Sequence, residues 1–145
     1  MKAFHFPLQK VLDWRRTQLE LEEMRFRQQS AALAGLDRAS TQLAAAGSTA
    51  ERQVRAWKPV AGSELSALGS YRLHVKLKET ELARSRAECR QELGRRESAM
   101  LEARRRLRLL ERLKERRLAE WCRERDRELE DLASEAYLAK WKRRE

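Results

Sequence analysis

The residues able to do chemistry are few and poorly placed for it. His5, His74, Cys89 and Cys122 are the candidates for metal binding, nucleophilic attack or proton transfer. The two histidines are far apart, and neither forms a set with a cysteine at the short spacing of a zinc site. Carboxylates are plentiful, but they lie on a convex helical surface, whereas acid-base work needs a concave, partly dry site that shifts a pKa. No glycine-rich loop could cradle a phosphate, so P-loop nucleotide binding is not expected. The sequence points away from an enzyme: no catalytic residue, metal site, cofactor or small-molecule substrate is expected.

Residues that could recognise rather than react are more numerous. The run from Arg95 to Arg127 contains Arg104, Arg105, Arg106, Arg108, Arg112, Lys114, Arg116 and Arg117. Such a run could face a phosphate backbone. Glu97, Glu102, Glu111, Glu115, Glu120, Glu124 and Asp126 are threaded through it, so a solvated coiled-coil face with positive excess explains it as well. An acidic protein surface, such as the lining of a ring, is the more economical partner, and nucleic acid the weaker expectation.

The elements that must carry these residues follow from composition and spacing. Of 145 residues 39% are charged and 6% aromatic, with 5 Gly, 2 Pro and a net charge of +10. An ordinary domain is about one quarter charged, and this mixture belongs to long helices and coiled coils. Disorder is rejected because the apolar residues are periodic and not merely sparse. Cys89 and Cys122 lie more than thirty residues apart within one expected helix, so they read as reduced thiols of a cytosolic protein. The opening residues have no apolar core of a secretory signal, and no window of about 18 apolar residues could span a membrane.

The chain is expected to be all-α: two long helices in an antiparallel coiled-coil hairpin, forming a single domain over residues 1–145. Helix one should run over about 7–57, starting at Pro7, which fits the first turn because its missing donor would be unpaired there. The break Lys58-Pro59-Val60-Ala61-Gly62-Ser63 gives a turn at 58–63, since a residue before proline is pushed out of the helical region. Helix two should run over about 64–141 with Ser63 as its cap and Glu64 in its first turn. At about 1.5 Å per residue it would reach on the order of 115 Å, too long for a compact core to wrap.

Both helices carry a seam of alternating three and four spacing. In helix one it holds Leu12, Leu19, Phe26, Leu33, Leu36, Ser40, Leu43, Gly47, Ala50, Val54 and Trp57, with Arg15, Glu22 and Gln29 as polar companions. A bend near Gly47 and Ser48 is expected. In helix two the rows are Leu65, Arg72, Glu79, Arg86, Leu93, Met100, Leu107, Lys114 and Trp121, and Leu68, Val75, Leu82, Cys89, Ala103 and Leu110. Past Leu110 the phase slips to a stripe of Leu118, Cys122, Leu129, Leu132, Ala136 and Ala139, which marks a change of partner or local unwinding.

Reversal near residue 60 puts residue i roughly opposite residue 121 minus i, so Leu12 should meet Leu109 and Leu110. Roughly 28 residues of helix two should then outrun helix one. They hold Trp121, Leu129, Leu132, Tyr137, Leu138 and Trp141 with no partner in the chain, the strongest sign of a binding surface. Homodimer packing is the plainer explanation. Trp14 with Leu21, about 200° round the helix from the seam, forms a second exposed patch.

The opening Phe4-x-Phe6-x-Leu8-Gln9-x-Val11-Leu12-Asp13-x-Arg15, the break near residue 60, Tyr71, and the run Leu110-Glu111-Arg112-Leu113-Lys114-Glu115-Arg116-Arg117 with a charged tail resemble FliJ, the flagellar type III export component. The resemblance covers nearly the whole chain. It implies a cytoplasmic, non-enzymatic coiled coil similar to the central stalk of rotary ATPases, acting at the cytoplasmic face of the membrane-embedded export apparatus. The implied partners are the hexameric export ATPase (FliI-like), the export gate protein (FlhA-like) and export chaperones. On that resemblance Leu8, Leu12 and Arg15, with Leu118, Trp121 and Arg125, would form the ATPase-binding end, and Tyr71, Val75 and Leu82 the gate-binding region. Val75 and Leu82 also fall on the seam and could be core. A basic nucleic-acid-binding coiled coil and a structural homodimer are the alternative classes.

Overall fold

The computed structural model describes residues 2–57 and 59–143, so Lys58, at the expected boundary of the first helix and the turn, lies outside the described residues. Two helices, α1 (Gln9–Ala56) and α2 (Gly62–Lys142), pack against each other in antiparallel sense, and the described residues contain no strand. Packing divides the chain into two units, one built from residues 2–20 and 101–143, the other from Leu21–Met100.

The helix ends depart slightly from the sequence reading. Pro7 and Leu8 form a turn, and the first helical bond runs from the Leu12 amide to the Leu8 carbonyl at 2.9 Å. At the hairpin, Ala61 rather than Ser63 is the cap. Its carbonyl accepts from the amides of Glu64 at 3.1 Å and Leu65 at 3.2 Å, while the Glu64 carboxylate reaches back to the Ala61 amide at 2.9 Å. This is the acidic half of a capping box, and it sits with a negative charge at the positive end of the helix. Gly47 stays helical within the continuous α1. A Cβ there would meet Val75 Cγ1 at 3.5 Å, an ordinary van der Waals contact that an alanine could make.

In the first unit, Leu12 has no solvent exposure and lies with Phe6 and Leu107, with Phe4, Leu19 and Leu110 packed around them. Gln9 accepts from Lys114 at 2.8 Å, and Arg16 lies 3.8 Å from Glu111. In the second unit the pairs are Gln29 with Cys89, Asp37 with Arg86 at 2.7 Å, and Glu51 with Arg72 at 2.9 Å. The paired position numbers add to 123, 127, 118, 123 and 123, close to the 121 expected for a chain that reverses near residue 60.

The α1 seam is as spaced: from Leu12 to Val54 each of its positions is buried or half-buried, while Trp57, past the helix end, is exposed. On α2 both rows hold from Leu82 through Lys114, and nearer the turn Leu68 and Val75 of one row stay half-buried while the other row fails. Leu65 and Arg72 are exposed, and Glu64 and Tyr71 are half-buried in their place. Residues seven apart rotate by about 20° per heptad on a straight helix, so over two to three heptads this row leaves the contact face and the preceding residue replaces it. Past Leu110 the original row continues through Lys114 and Trp121, and of the expected new stripe Cys122 is half-buried while Leu118, Leu129, Leu132, Ala136 and Ala139 are exposed. The acid-first pairs Glu92 with Arg96 at 3.0 Å and Glu102 with Arg106 at 2.9 Å form as spaced.

Two substitutions test this packing. Leu12→Ala should lower stability by about 2–4 kcal/mol in chemical denaturation, because a fully enclosed leucine leaves a cavity. Glu22→Leu should raise it by about 1 kcal/mol. One Glu22 oxygen holds Arg25 at 3.0 Å, but the other is buried without a donor among the described residues, and removing an unmet acceptor recovers its desolvation cost.

Candidate protein-docking site

The segment Lys2–Phe6, which has no regular secondary structure, precedes α1 and carries two phenylalanines, Phe4 and Phe6. Phe6 enters the core beside Leu12 and Leu107. Phe4 meets Trp121 of α2, with ring centroids 6.0 Å apart and planes inclined by 58°, a favourable tilted arrangement. The Trp121 indole N–H donates to the Lys2 carbonyl at 3.2 Å. The N-terminal segment is thus a clasp over the last covered turn of α2.

This corrects the expectation that Trp121 lacks a partner in its own chain. Its ring also carries the Arg125 guanidinium at 5.4 Å. Arg125 in turn donates to Asp126 at 2.8 Å and 3.1 Å, and those hydrogen bonds, followed by the carboxylate's charge, raise its pKa and keep it cationic. Between clasp and helix lies an open groove of about 830 Å³ with Phe4, Leu8, Leu113 and Trp121 as its apolar lining and Glu120, Glu124 and Glu128 along it. Beyond the groove α2 is bare: Leu129, Leu132, Tyr137, Leu138 and Trp141 are each more than half exposed.

The other sequence-derived candidates fall in different settings. Leu8 is exposed beside the groove and Leu118 is exposed on α2, whereas Leu12 is wholly enclosed and serves packing. Arg15 is half-buried, its guanidinium 4.6 Å from the centre of the exposed Trp14 ring. Leu21 is half-buried. Near the hairpin turn, Tyr71 lines a groove of about 400 Å³ with Val54, Trp57 and Leu68, while Val75 and Leu82 are half-buried on the seam. The structure therefore gathers Leu8, Trp121 and Arg125 at one end and leaves Leu12, Val75 and Leu82 inside or along the helix contact. Phe4 and Phe6 had not been read as a clasp. Their alternate spacing before a proline was the available signal.

Little else resembles a reactive site. Among the described residues no three His, Cys, Asp or Glu side chains could together hold a metal ion, and no helix is long and apolar enough to cross a membrane. Cys89 and Cys122 are free thiols. Lys78 donates to Glu81 at 2.8 Å and, through that hydrogen bond first, holds the carboxyl below its usual range on an open surface. No protein-family model, curated protein or solved structure matches this chain.

The clasp is testable by amide hydrogen exchange. Trp121→Ala removes a ring contact and a hydrogen bond, together about 2 kcal/mol. Exchange in residues 3–6 should accelerate while protection in the middle of α2 stays unchanged.

Proposed function

We propose that this chain is a non-enzymatic component of a flagellar type III protein export apparatus, stationed at the cytoplasmic face of the membrane-embedded machinery. It acts there as a stalk-like coiled coil. One end binds the hexameric export ATPase ring (FliI-like), the hairpin turn contacts the export gate protein (FlhA-like), and export chaperones are further partners. The reading is supported by the resemblance to FliJ and, above all, by the bare end of α2. There the face that α1 and the clasp cover up to Trp121 continues through Leu129, Leu132, Ala136 and Ala139 with nothing on it.

The physical role follows from asymmetry. A helical pair offers different side chains round its circumference, so a ring of like subunits gripping it holds each subunit against a different surface. Nucleotide-driven changes in the ring are then coupled to the pair, and through it to the gate. With Leu12 buried, the ring contact falls to Leu8, Leu118, the Trp121 and Arg125 pair, and the bare turns beyond Glu128.

The test is ATP hydrolysis by the export ATPase, measured with and without the full chain. Addition of the full chain should stimulate turnover, and truncation after Glu128, which leaves the clasp whole, should remove most of that stimulation. Equal stimulation by the truncated chain and by Trp121→Ala would take this end out of the mechanism.

A further inference from the structure

Two patches on α2 are copies of one another with the charge reversed. Arg105, Arg108, Leu109 and Arg112, with Leu101 and Arg104 one turn before them, line one shallow groove of about 370 Å³. Glu128, Asp131, Leu132 and Glu135 line another, of about 280 Å³. Within each set of four the residues stand at positions i, i+3, i+4 and i+7, the second 23 residues after the first. Spacing of this kind puts all four side chains on one face of a helix. Each patch is therefore three like charges round an exposed leucine.

The six charges share a second property. Their neighbours are matched: Arg106 with Glu102 at 2.9 Å, Arg117 with Glu120 at 3.5 Å, Arg125 with Asp126 at 2.8 Å, and Glu111 with Arg16 at 3.8 Å. Among the described residues, no ion pair or hydrogen bond engages the side chains of Arg105, Arg108, Arg112, Glu128, Asp131 or Glu135. Of the acids that the sequence threads through the basic run, Glu102, Glu111, Glu120 and Asp126 pair with other arginines, while Glu115 stands one turn past Arg112 at the edge of the patch.

We infer that the occupant of the arginine patch is the acidic patch of a second copy of this chain. Both patches sit on one continuous helix, Gly62–Lys142, so neither can reach the other within a chain without breaking that helix. Laid antiparallel and centred on the two patches, one copy places Glu135, Asp131, Leu132 and Glu128 opposite Arg105, Arg108, Leu109 and Arg112 of the next. Each charge meets its opposite, and leucine meets leucine. A nucleic acid would satisfy the arginines but leave Leu109, which is more than half exposed, against phosphate.

The two patches point about 140° apart round α2, since 23 residues advance the helix by that angle beyond whole turns. Each copy consequently uses different surfaces to hold its two neighbours. The association is heterologous and open, not a closed two-fold dimer. Because Leu132 belongs both to this patch and to the bare stripe, self-association and docking on another protein compete for the same turns. The inference stands apart from the export reading and needs only the purified chain.

The experiment is sedimentation of the full chain over a range of concentrations and salt. At low salt the wild type should grow in mass with concentration, and raised salt should return it to the mass of a single chain, because exposed pairs are screened. The triple variants R105E/R108E/R112E and E128R/D131R/E135R should each stay single, with helical circular dichroism unchanged. Mixed in equal amounts they should associate again, since each junction in the mixture pairs opposite charges. A wild type that remains single at low salt, or a mixture that does not recover, overturns the inference. Loss of duplex DNA binding in R105E/R108E/R112E, with no change in protein mass for any variant, would assign the arginines to a polyanion instead.

Discussion

Two helices packed on each other can bury only one stripe apiece, and nearly all that this chain can do with apolar side chains is settled by how that stripe is spent. Among the described residues only Phe6, Leu12, Cys89 and Leu107 are buried, Leu12 alone completely, and the rest of the seam is half-covered at best. A thin contact of this kind tolerates no loss of register. One residue of slip turns a seam position through about 100° and trades it for an arginine or a glutamate. The matched cross-pairs, Gln9 with Lys114 in one unit and Asp37 with Arg86 and Glu51 with Arg72 in the other, each contribute little energy on an exposed surface, but they penalise every neighbouring register.

The seam is also where polar groups are kept. Gln29 donates to the Cys89 carbonyl at 3.3 Å and to its sulfur at 3.2 Å, so a polar residue at a contact position finds partners across the interface. A polar pair facing only its own match fixes alignment in the way a buried asparagine does in other coiled coils. Glu22 is the opposite case, half satisfied by Arg25 and otherwise unmet.

Periodicity carried the fold because a 3-4 spacing and one proline-centred break leave few arrangements open. The two helices, their antiparallel sense and their register were legible to within a few residues. What escaped lies where periodicity ceases to be the governing rule. Near the turn the free α-helical pitch moves the contact from Leu65 and Arg72 to Glu64 and Tyr71. At the other end Trp121 is held by a segment with no regular secondary structure, which no heptad count can reveal. Among the described residues Trp14, Leu118 and the turns past Glu128 are exposed and Leu21, expected in the exposed patch, is half-buried, while Leu12, placed on the seam by its spacing and at the ATPase end by the resemblance, is core. A leucine on the seam is core first, whatever lies near the end of the helix.

The same face of α2 is thus treated in three ways along its length. It is covered by a helix as far as Lys114, by the N-terminal clasp at Trp121, and by nothing from Leu129 onward. Enclosing Leu129 and Leu132 would remove apolar surface worth about 1.5–3 kcal/mol each, against an association cost of at least about 4 kcal/mol. The apolar stripe alone therefore gives at most weak binding. Whatever lies on it must also engage the carboxylates beside it, Glu128, Asp131 and Glu135, and charge contacts of that sort are felt through approach rates and salt more than through final affinity. The end of α2 is built for contacts that form and release, while the turns under the clasp, where aromatic stacking, a hydrogen bond and an enclosed leucine coincide, are built to stay.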